Sequence, residues 1–387
     1  MNIGYGKQSI NKNDINEVVK TLKSNFLTQG PKVKEFEKSL NNYFGSKYCC
    51  VVNNGTSALF LSGLVMNWKL NDIILTTPLT FVASANSIIY NNATPDFVDI
   101  NFNNYTIDLD KLEEKIKFYR KKRKKVKAVI GVDFAGHPCD WPNLRYLANK
   151  YDFLLINDNC HALGAKLNNN LKYAIKYSDI VTQSFHAVKS ITTGEGGAIL
   201  SNSKEYIKKL YDLRIHGMIK DKSRLNKYDG PWYYDVHQLG YNFRLTDFQC
   251  ALGISQLKRA NSFIKKRNSI ANYYNNFLSE VKHIQIPQVS NNVQHAYHLY
   301  TPLFDFKKTK INKIKFYNML KSKGINLMVH YVPIPLFTYY KKKYNLKNIH
   351  FLNSIKYYEK SFSLPIFPDL KSNKLKFICS VIKNTFK

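Results

Sequence analysis

The stretch KAVIGVDFAGHPCDWPNLRYLANKYDFLLINDNC, residues 127–160, sets two short apolar runs, 127–132 and 153–156, on either side of a helical segment. Short apolar runs bounded by Gly, Asp and Asn read as buried strands, and an intervening helix lets two such strands lie parallel. The unit recurs in both directions. Residues 49–52, 73–75 and 97–100 precede it as similar runs, and 180–182 and 198–200 follow it, with helical stretches between. This alternation predicts an α/β fold whose mostly parallel sheet is covered on both faces.

Two helices precede the first run. Ile15, Val18, Val19 and Leu22 recur at helical spacing, as do Val33, Phe36, Leu40, Tyr43 and Phe44, with a Gly30-Pro31 turn between the two sets. After residue 245 the pattern changes. Residues 246–280 read as one or two long helices with Phe248, Leu252, Ile254 and Leu257 on the apolar side. Short strands and amphipathic helices follow, among them the segments 297–303 and 326–332. We expect a large α/β domain over 1–245 and a smaller α/β domain over 246–387.

The 387 residues are 44% hydrophobic, which excludes a disordered chain, yet Lys and Arg exceed Asp and Glu by 31. Such an excess favours partners that carry phosphate, whether nucleic acid, anionic membrane or a small molecule. No nucleic-acid-binding module is recognisable, and a composition rich in Lys, Asn, Ile and Tyr explains much of the charge as solvated surface. The basic run KKRKKVK at 121–127 reads as a solvated helix end. No apolar stretch approaches the roughly 20 residues that a bilayer needs. The six cysteines contain no C-x-x-C pair, which speaks against zinc and against a disulfide framework. A cytoplasmic protein without a metal, bound neither to nucleic acid nor to membrane, is expected.

In sheets of this kind ligands sit beyond the carboxyl ends of the strands. Four clusters stand there. NNGTSAL, 53–59, places Thr56 and Ser57 at a helix N-terminus, where free amides and hydroxyls suit a phosphate, although an ordinary helix cap looks the same. Asp158 closes the run FLLIND and suits a proton on a buried heterocyclic nitrogen, or merely ends a strand; His161 follows three residues later. SFHAVKSITTGEGGA, 184–198, carries Lys189 in a Gly-rich run after a strand. A desolvated lysine becomes a nucleophilic amine able to form a Schiff base, whereas in so basic a chain a solvated lysine is the bland reading. GYNFR, 240–244, is the fourth.

The lysine segment resembles that of the DegT/DnrJ/EryC1/StrS sugar aminotransferases, fold-type I enzymes that depend on pyridoxal 5′-phosphate (PLP). The likeness runs through YGKQSI, FLTQGP, NNGTSAL, TTPLTFVASAN, PDFVDI, DNCHALGA, LGYNFRLTDFQCALG, YHLY, VHYVPI and SLPIFP in order. It is strongest with the pseudaminic acid branch. The resemblance implies that Lys189 holds the cofactor as a Schiff base and shuttles the proton afterwards. It implies that Asp158 keeps the pyridine nitrogen protonated and that His161 lies near the phenolic oxygen. Phe81 would stack on the ring, and Thr56, Ser57 and Ser184 would hold the phosphate. Asn242 would reach the phosphate of a neighbouring subunit, hence a homodimer with shared sites.

Tyr5, Thr28 and Gln29 match family positions able to line the substrate side; Arg244 suits a carboxylate or diphosphate clamp or equally a structural ion pair, His186 a substrate contact or only a loop contact, and His330 and Tyr331 the sugar pocket or, nearly as well, core packing. The implied reaction takes the amino group of L-glutamate, releasing 2-oxoglutarate, to a UDP-linked 4-keto-6-deoxy sugar. Related enzymes of the bacillosamine, perosamine and aminoarabinose types share the motifs. A PLP-binding regulator without turnover is the alternative of another class. PLP-dependent sugar deoxygenation replaces the lysine with His, so Lys189 argues against it.

Overall fold

The computed structural model describes residues 2–309 and 311–386. Seven strands form one sheet: β1 (Tyr48–Val52), β2 (Ile73–Thr76), β3 (Thr94–Phe97), β4 (Val126–Val132), β5 (Leu154–Asp158), β6 (Ile180–Ser184) and β7 (Gly197–Ser201). Their order is β1-β7-β6-β5-β4-β2-β3. Only β7 runs against its neighbours, pairing antiparallel with both β1 and β6. The expected mostly parallel α/β sheet is present. One strand is displaced: β3 covers 94–97 where 97–100 was expected. It pairs only with β2, so Pro95 costs no ladder bond on the open side, and the apolar run after Phe97 leaves the sheet.

Alternate residues of each strand feed opposite faces. On β1, Cys49 and Val51 join one apolar cluster, whereas Cys50 and Val52 join the other. The first cluster is closed by helices α2 (Pro31–Phe44), α5 (Leu109–Lys121), α6 (Trp141–Tyr151), the short α7 (Tyr173–Tyr177) and α9 (Asp247–Lys258). The second is closed by α3 (Gly55–Val65), α4 (Val82–Tyr90) and α8 (Lys204–Leu213). Helix α1 (Lys12–Leu22) lies on α9, where its buried Asp14 accepts Ser255 Oγ at 2.6 Å and Gln256 Nε2 at 2.8 Å.

The long helical stretch after 245 is two helices, α9 and α10 (Ala260–Leu278), joined at Arg259. The division expected between residues 245 and 246 falls at the start of α9, whose Cys250 and Leu257 pack with the sheet. From Ile270 onward α10 packs into a third cluster with α11 (Lys313–Ser322) and α14 (Ser372–Thr385), and Ile3 joins it. Helices α12 (Thr338–Tyr344) and α13 (Leu352–Lys360) lie between them in sequence. The segments 297–303 and 326–332 are mainly extended connections. They carry isolated bridges, Tyr300 to Leu364 and Met328 to Ser363, and only Leu303 and Phe304 pair as a strand, with residues 284–285. Among the described residues no helix is long and apolar enough to cross a membrane.

Candidate active site

A cavity of about 590 Å³ opens where the carboxyl ends of β4, β5 and β6 meet the segment 328–331. Ten of the expected site residues line it: Tyr5, Thr56, Phe81, Asp158, His161, Ser184, His186, Lys189, His330 and Tyr331. These positions span almost the whole sequence, and the sheet order brings them together.

One end of the cavity is the N-terminus of α3. Asn54 caps it, its side chain accepting the Ser57 N–H at 2.8 Å. The N–H groups of Gly55 and Thr56 have no hydrogen-bond partner among the described residues, so two donors, the Thr56 hydroxyl and the positive end of the helix face the cavity together. Ser184 stands across from them. A Cβ on Gly55 would lie 2.9 Å from Ser184 Cβ, and one on Gly197 would lie 2.4 Å from the Asn54 carbonyl oxygen, so both glycines are needed for this approach. Ser57 contributes its backbone to the cap and does not line this cavity; with Thr56 it lines a separate small hollow beside Phe60, Tyr90 and Phe243.

At the other end Asp158 terminates β5. Its carboxylate accepts the Ser84 hydroxyl at 2.8 Å and the Cys160 N–H at 3.4 Å, and Ser84 Oγ lies 2.9 Å from Thr80 Oγ1. Ser84 sits in the first turn of α4, whose dipole also favours a carboxylate there. Lys189 projects into the same cavity. Burial lowers its ammonium below the ordinary lysine value, with the Cys160 thiol and the Asp158 carboxylate acting in the opposite sense.

Three imidazoles form the wall beside the lysine. His161 is pushed well below its ordinary value by burial and by the charges of Lys189 and His330. Its Nδ1 accepts the Ala135 N–H at 3.3 Å, so the proton of the neutral ring sits on Nε2, 3.1 Å from Tyr331 Oη. The Tyr331 hydroxyl therefore accepts from His161 and keeps its own proton for the cavity. His330, lowered to about 3 by burial and by Lys189, lies 2.8 Å from Ser363 Oγ through Nδ1. His298 packs against His161 at 4.4 Å between ring centroids, and its buried Nδ1 has no partner among the described residues. Phe81, 55% exposed, covers the mouth with its ring 5.8 Å from that of Tyr331. His186 lies 3.9 Å from the Glu195 carboxylate at the rim.

Besides Ser57, four expected residues lie elsewhere. Gln29 and Arg244 line a different hollow of about 450 Å³ together with Lys34, Lys38 and Arg214. Thr28 bridges to Thr246, and Asn242 is exposed and bridges to Ile215. Within one chain none of the four reaches the cavity around Lys189. In turn, Ser84, Cys160 and His298 line it without having been assigned a role from the sequence. Ser84 and His298 stand inside the stretches TTPLTFVASAN and YHLY, but only the fold shows that they face Asp158 and His161.

Anion donors at one end, a braced carboxylate at the other, a desolvated amine and an aromatic cover fit a flat phosphorylated heterocycle with a basic ring nitrogen. Residues 8–383 match the DegT/DnrJ/EryC1/StrS aminotransferase family. A UDP-4-amino-4,6-dideoxy-N-acetyl-beta-L-altrosamine transaminase from Campylobacter jejuni is 37% identical over 376 residues, 97% of this chain and 95% of its own length. Among solved structures, Helicobacter pylori PseC, described as an aminotransferase involved in the biosynthesis of pseudoaminic acid, is similar with a TM-score of 0.89 and 31% identity, covering 100% of this chain and 99% of that one. Streptococcus pneumoniae Spr1654 in its PMP form has a TM-score of 0.89 and 28% identity over 99% of each chain; its PLP form has been solved as well. The chain belongs to the DegT/DnrJ/EryC1/StrS aminotransferase family.

Proposed function

We propose that this aminotransferase transfers the amino group of L-glutamate to the 4-keto carbon of a UDP-linked 4-keto-6-deoxy-N-acetylhexosamine. The product is UDP-4-amino-4,6-dideoxy-N-acetyl-β-L-altrosamine, a precursor of pseudaminic acid, and 2-oxoglutarate is released. The observation that carries the reading is one cavity in which Lys189, Asp158 and the N-terminus of α3 converge, in a chain 37% identical to an enzyme named for that sugar.

The cofactor is PLP, which supplies an electrophilic aldehyde and a protonated ring that withdraws electrons from bonds at the amine-bearing carbon. Thr56, Ser184 and the free N–H groups of Gly55 and Thr56 hold its phosphate. Asp158, fixed by Ser84 and Cys160, holds a proton on the ring nitrogen. Phe81, at the mouth of the cavity, would stack on the ring. Lys189 loses its proton readily because the cavity desolvates the ammonium, so its free amine would be the group that holds the cofactor and, when released, the base that carries a proton between cofactor and substrate carbons. His161 presents Nε2–H to Tyr331, whose hydroxyl proton is directed to an oxygen on the cofactor or substrate. Asn242 and Arg244 reach no site in their own chain; we assign them to the cavity of a second copy, Asn242 at the phosphate and Arg244 at the substrate's anionic group. Tyr5, His186 and His330 are assigned to the substrate side of their own cavity, and Thr28 and Gln29, which lie outside it, to the substrate side of the second copy's cavity.

Purified protein should absorb in the visible with bound PLP, lose that band in Lys189→Ala, and convert to the pyridoxamine spectrum with L-glutamate. A panel of UDP-, GDP- and dTDP-linked 4-keto sugars then tests the acceptor. Preference for a GDP- or dTDP-linked sugar would sink the substrate assignment, and no spectral response to any amino donor would sink the reaction.

A further inference from the structure

Asp133 follows directly after β4, is fully buried, and has no cation beside it among the described residues. Burial pushes its carboxyl up to about 6, against the opposing effect of its hydrogen bonds. Four neutral donors surround it. Cys139 N–H and Trp141 Nε1–H give to Oδ1, each at 2.8 Å. Asn159 Nδ2–H and Tyr173 Oη–H give to Oδ2 at 2.8 and 2.7 Å. These donors fill the four lone-pair sites of a carboxylate. Burying such a group without a counter-charge is costly, and a hydrophobic core would have been the cheaper way to close this space.

One donor of each pair lies in a loop that builds the wall beside Lys189, Cys139 after β4 and Asn159 after β5, and the other opens a helix, Trp141 in α6 and Tyr173 in α7. The Oδ1 donors fasten the turn Phe134–Gly136 and the residues after it, a turn in which Ala135 takes the left-handed φ of 58° that alanine disfavours. Ala135 N–H reaches His161 Nδ1 at 3.3 Å. The Ala135 and Gly136 carbonyls accept the N–H groups of Leu299 at 3.2 Å and Ala296 at 2.9 Å, on either side of His298. The Oδ2 donor Asn159 stands between Asp158 and His161, and its N–H is bonded to the Thr182 carbonyl at 3.1 Å. The carboxylate is thus the knot between the β4 turn and the β5 loop.

We propose that Asp133 is a positioning residue for the reaction: by tying these loops it keeps the Ala135 N–H on His161 Nδ1 and so leaves the His161 Nε2–H directed at Tyr331. The inference rests on the proposed function only for its kinetic consequence. Asp133→Asn keeps the shape but turns N–H donors toward donors, which breaks one half of the knot.

The test is made on the full-length protein carrying PLP, with ¹⁵N-labelled histidine and His161→Gln to assign the signals. In the wild type His161 should show an unprotonated Nδ1 and a protonated Nε2. In Asp133→Asn this single-tautomer pattern should be lost, and kcat should fall about ten- to hundredfold with KM for both substrates unchanged. Wild-type His161 signals in a folded Asp133→Asn variant would overturn the proposal, whatever its kcat. Should that variant not fold, Tyr173→Phe removes one donor and leaves three. It should move the His161 signals partway, and unmoved signals there would overturn the proposal equally. If the wild type turns over no amino donor, the reaction assignment fails while the tautomer comparison still decides the role of Asp133.

Discussion

Ser84→Ala tests the electrostatic half of the site. The Ser84 hydroxyl has one proton and gives it to Asp158 at 2.8 Å, so Thr80 must donate in turn to Ser84 Oγ at 2.9 Å. Ser84 is 1% exposed, so its hydroxyl serves Asp158 and not bulk solvent. The other bond on Asp158, from Cys160 N–H, is long at 3.4 Å and compensates little. A hydrogen bond to a charged acceptor contributes about 1.5–3 kcal/mol. At about 1.4 kcal/mol per tenfold, losing it weakens the ionised form of Asp158 by roughly ten- to hundredfold. If the ionised form holds the ring proton, PLP affinity falls by the same factor. The assay is absorbance titration of the apoenzyme with PLP, with circular dichroism as a check on folding. Thr80→Val removes only the hydroxyl that orients Ser84 and should cost about 1 kcal/mol, a smaller loss in the same direction. Unchanged PLP affinity and an unchanged spectrum in folded Ser84→Ala would refute the reasoning.

Gly197→Ala drives a Cβ to 2.4 Å from the Asn54 carbonyl oxygen, so β7 and the cap of α3 must part. We expect a loss of about 1–3 kcal/mol in stability together with weakened PLP binding, read by thermal melts and titration. Tyr331→Phe removes the acceptor of the His161 Nε2–H at 3.1 Å and should lower kcat while leaving the melting temperature near that of the wild type. Stability should also fall in mild acid. Burial holds His137, His161, His295, His298 and His330 below their ordinary values, to about 4 for His137 and about 3 for His330. Depressed values mean that the unfolded chain takes up protons first. Their contribution is therefore present above about pH 6.5 and is lost as pH falls toward the folded values, each site giving up to about 1.4 kcal/mol per pH unit. Asp133, raised to about 6, works the other way and gains stability as pH falls through that value, one group against five. Melting temperatures that rise between pH 7 and pH 5 would contradict this balance.

The sheet was legible because a strand buried on both faces is nearly continuous in apolar residues, and the polar residues that break each run mark its carboxyl end. Asp158 and Lys189 stood out as candidates for that reason, and the resemblance of the segments around them supplied their roles. Edge and connecting segments carry no such signal. Residues 94–97 include a proline and a charge, and the stronger apolar run just beyond them belongs to the exit from β3. Ser84 escaped assignment because its relation to Asp158 spans 74 positions and exists only when β2, β4 and β5 stand in register. A serine in a helix is otherwise ordinary. The three neutral histidines are set by the same long-range packing, since nothing local distinguishes His298 in YHLY from a surface imidazole.

The charges of the cavity pose a last question. Asp158, Lys189 and Glu195 are its acidic and basic lining residues, and no arginine faces it, yet the proposed substrates are a dicarboxylate and a diphosphate. Within one chain Arg244 opens on another hollow and Asn242 points to solvent. If a second copy brings both to the cavity, complementation must work between two dead variants. Lys189→Ala and an Asn242→Ala/Arg244→Ala double variant should each be inactive alone. Mixed, unfolded together and refolded at equal amounts, half of the dimers contain one chain of each kind. In such a dimer one site combines an intact Lys189 with an intact Asn242 and Arg244, and the other site carries both defects. About a quarter of all sites should then work. Were every site built from a single chain, the mixture would stay as inactive as its components, and that outcome would defeat the shared-site arrangement while leaving the chemistry at Lys189 intact.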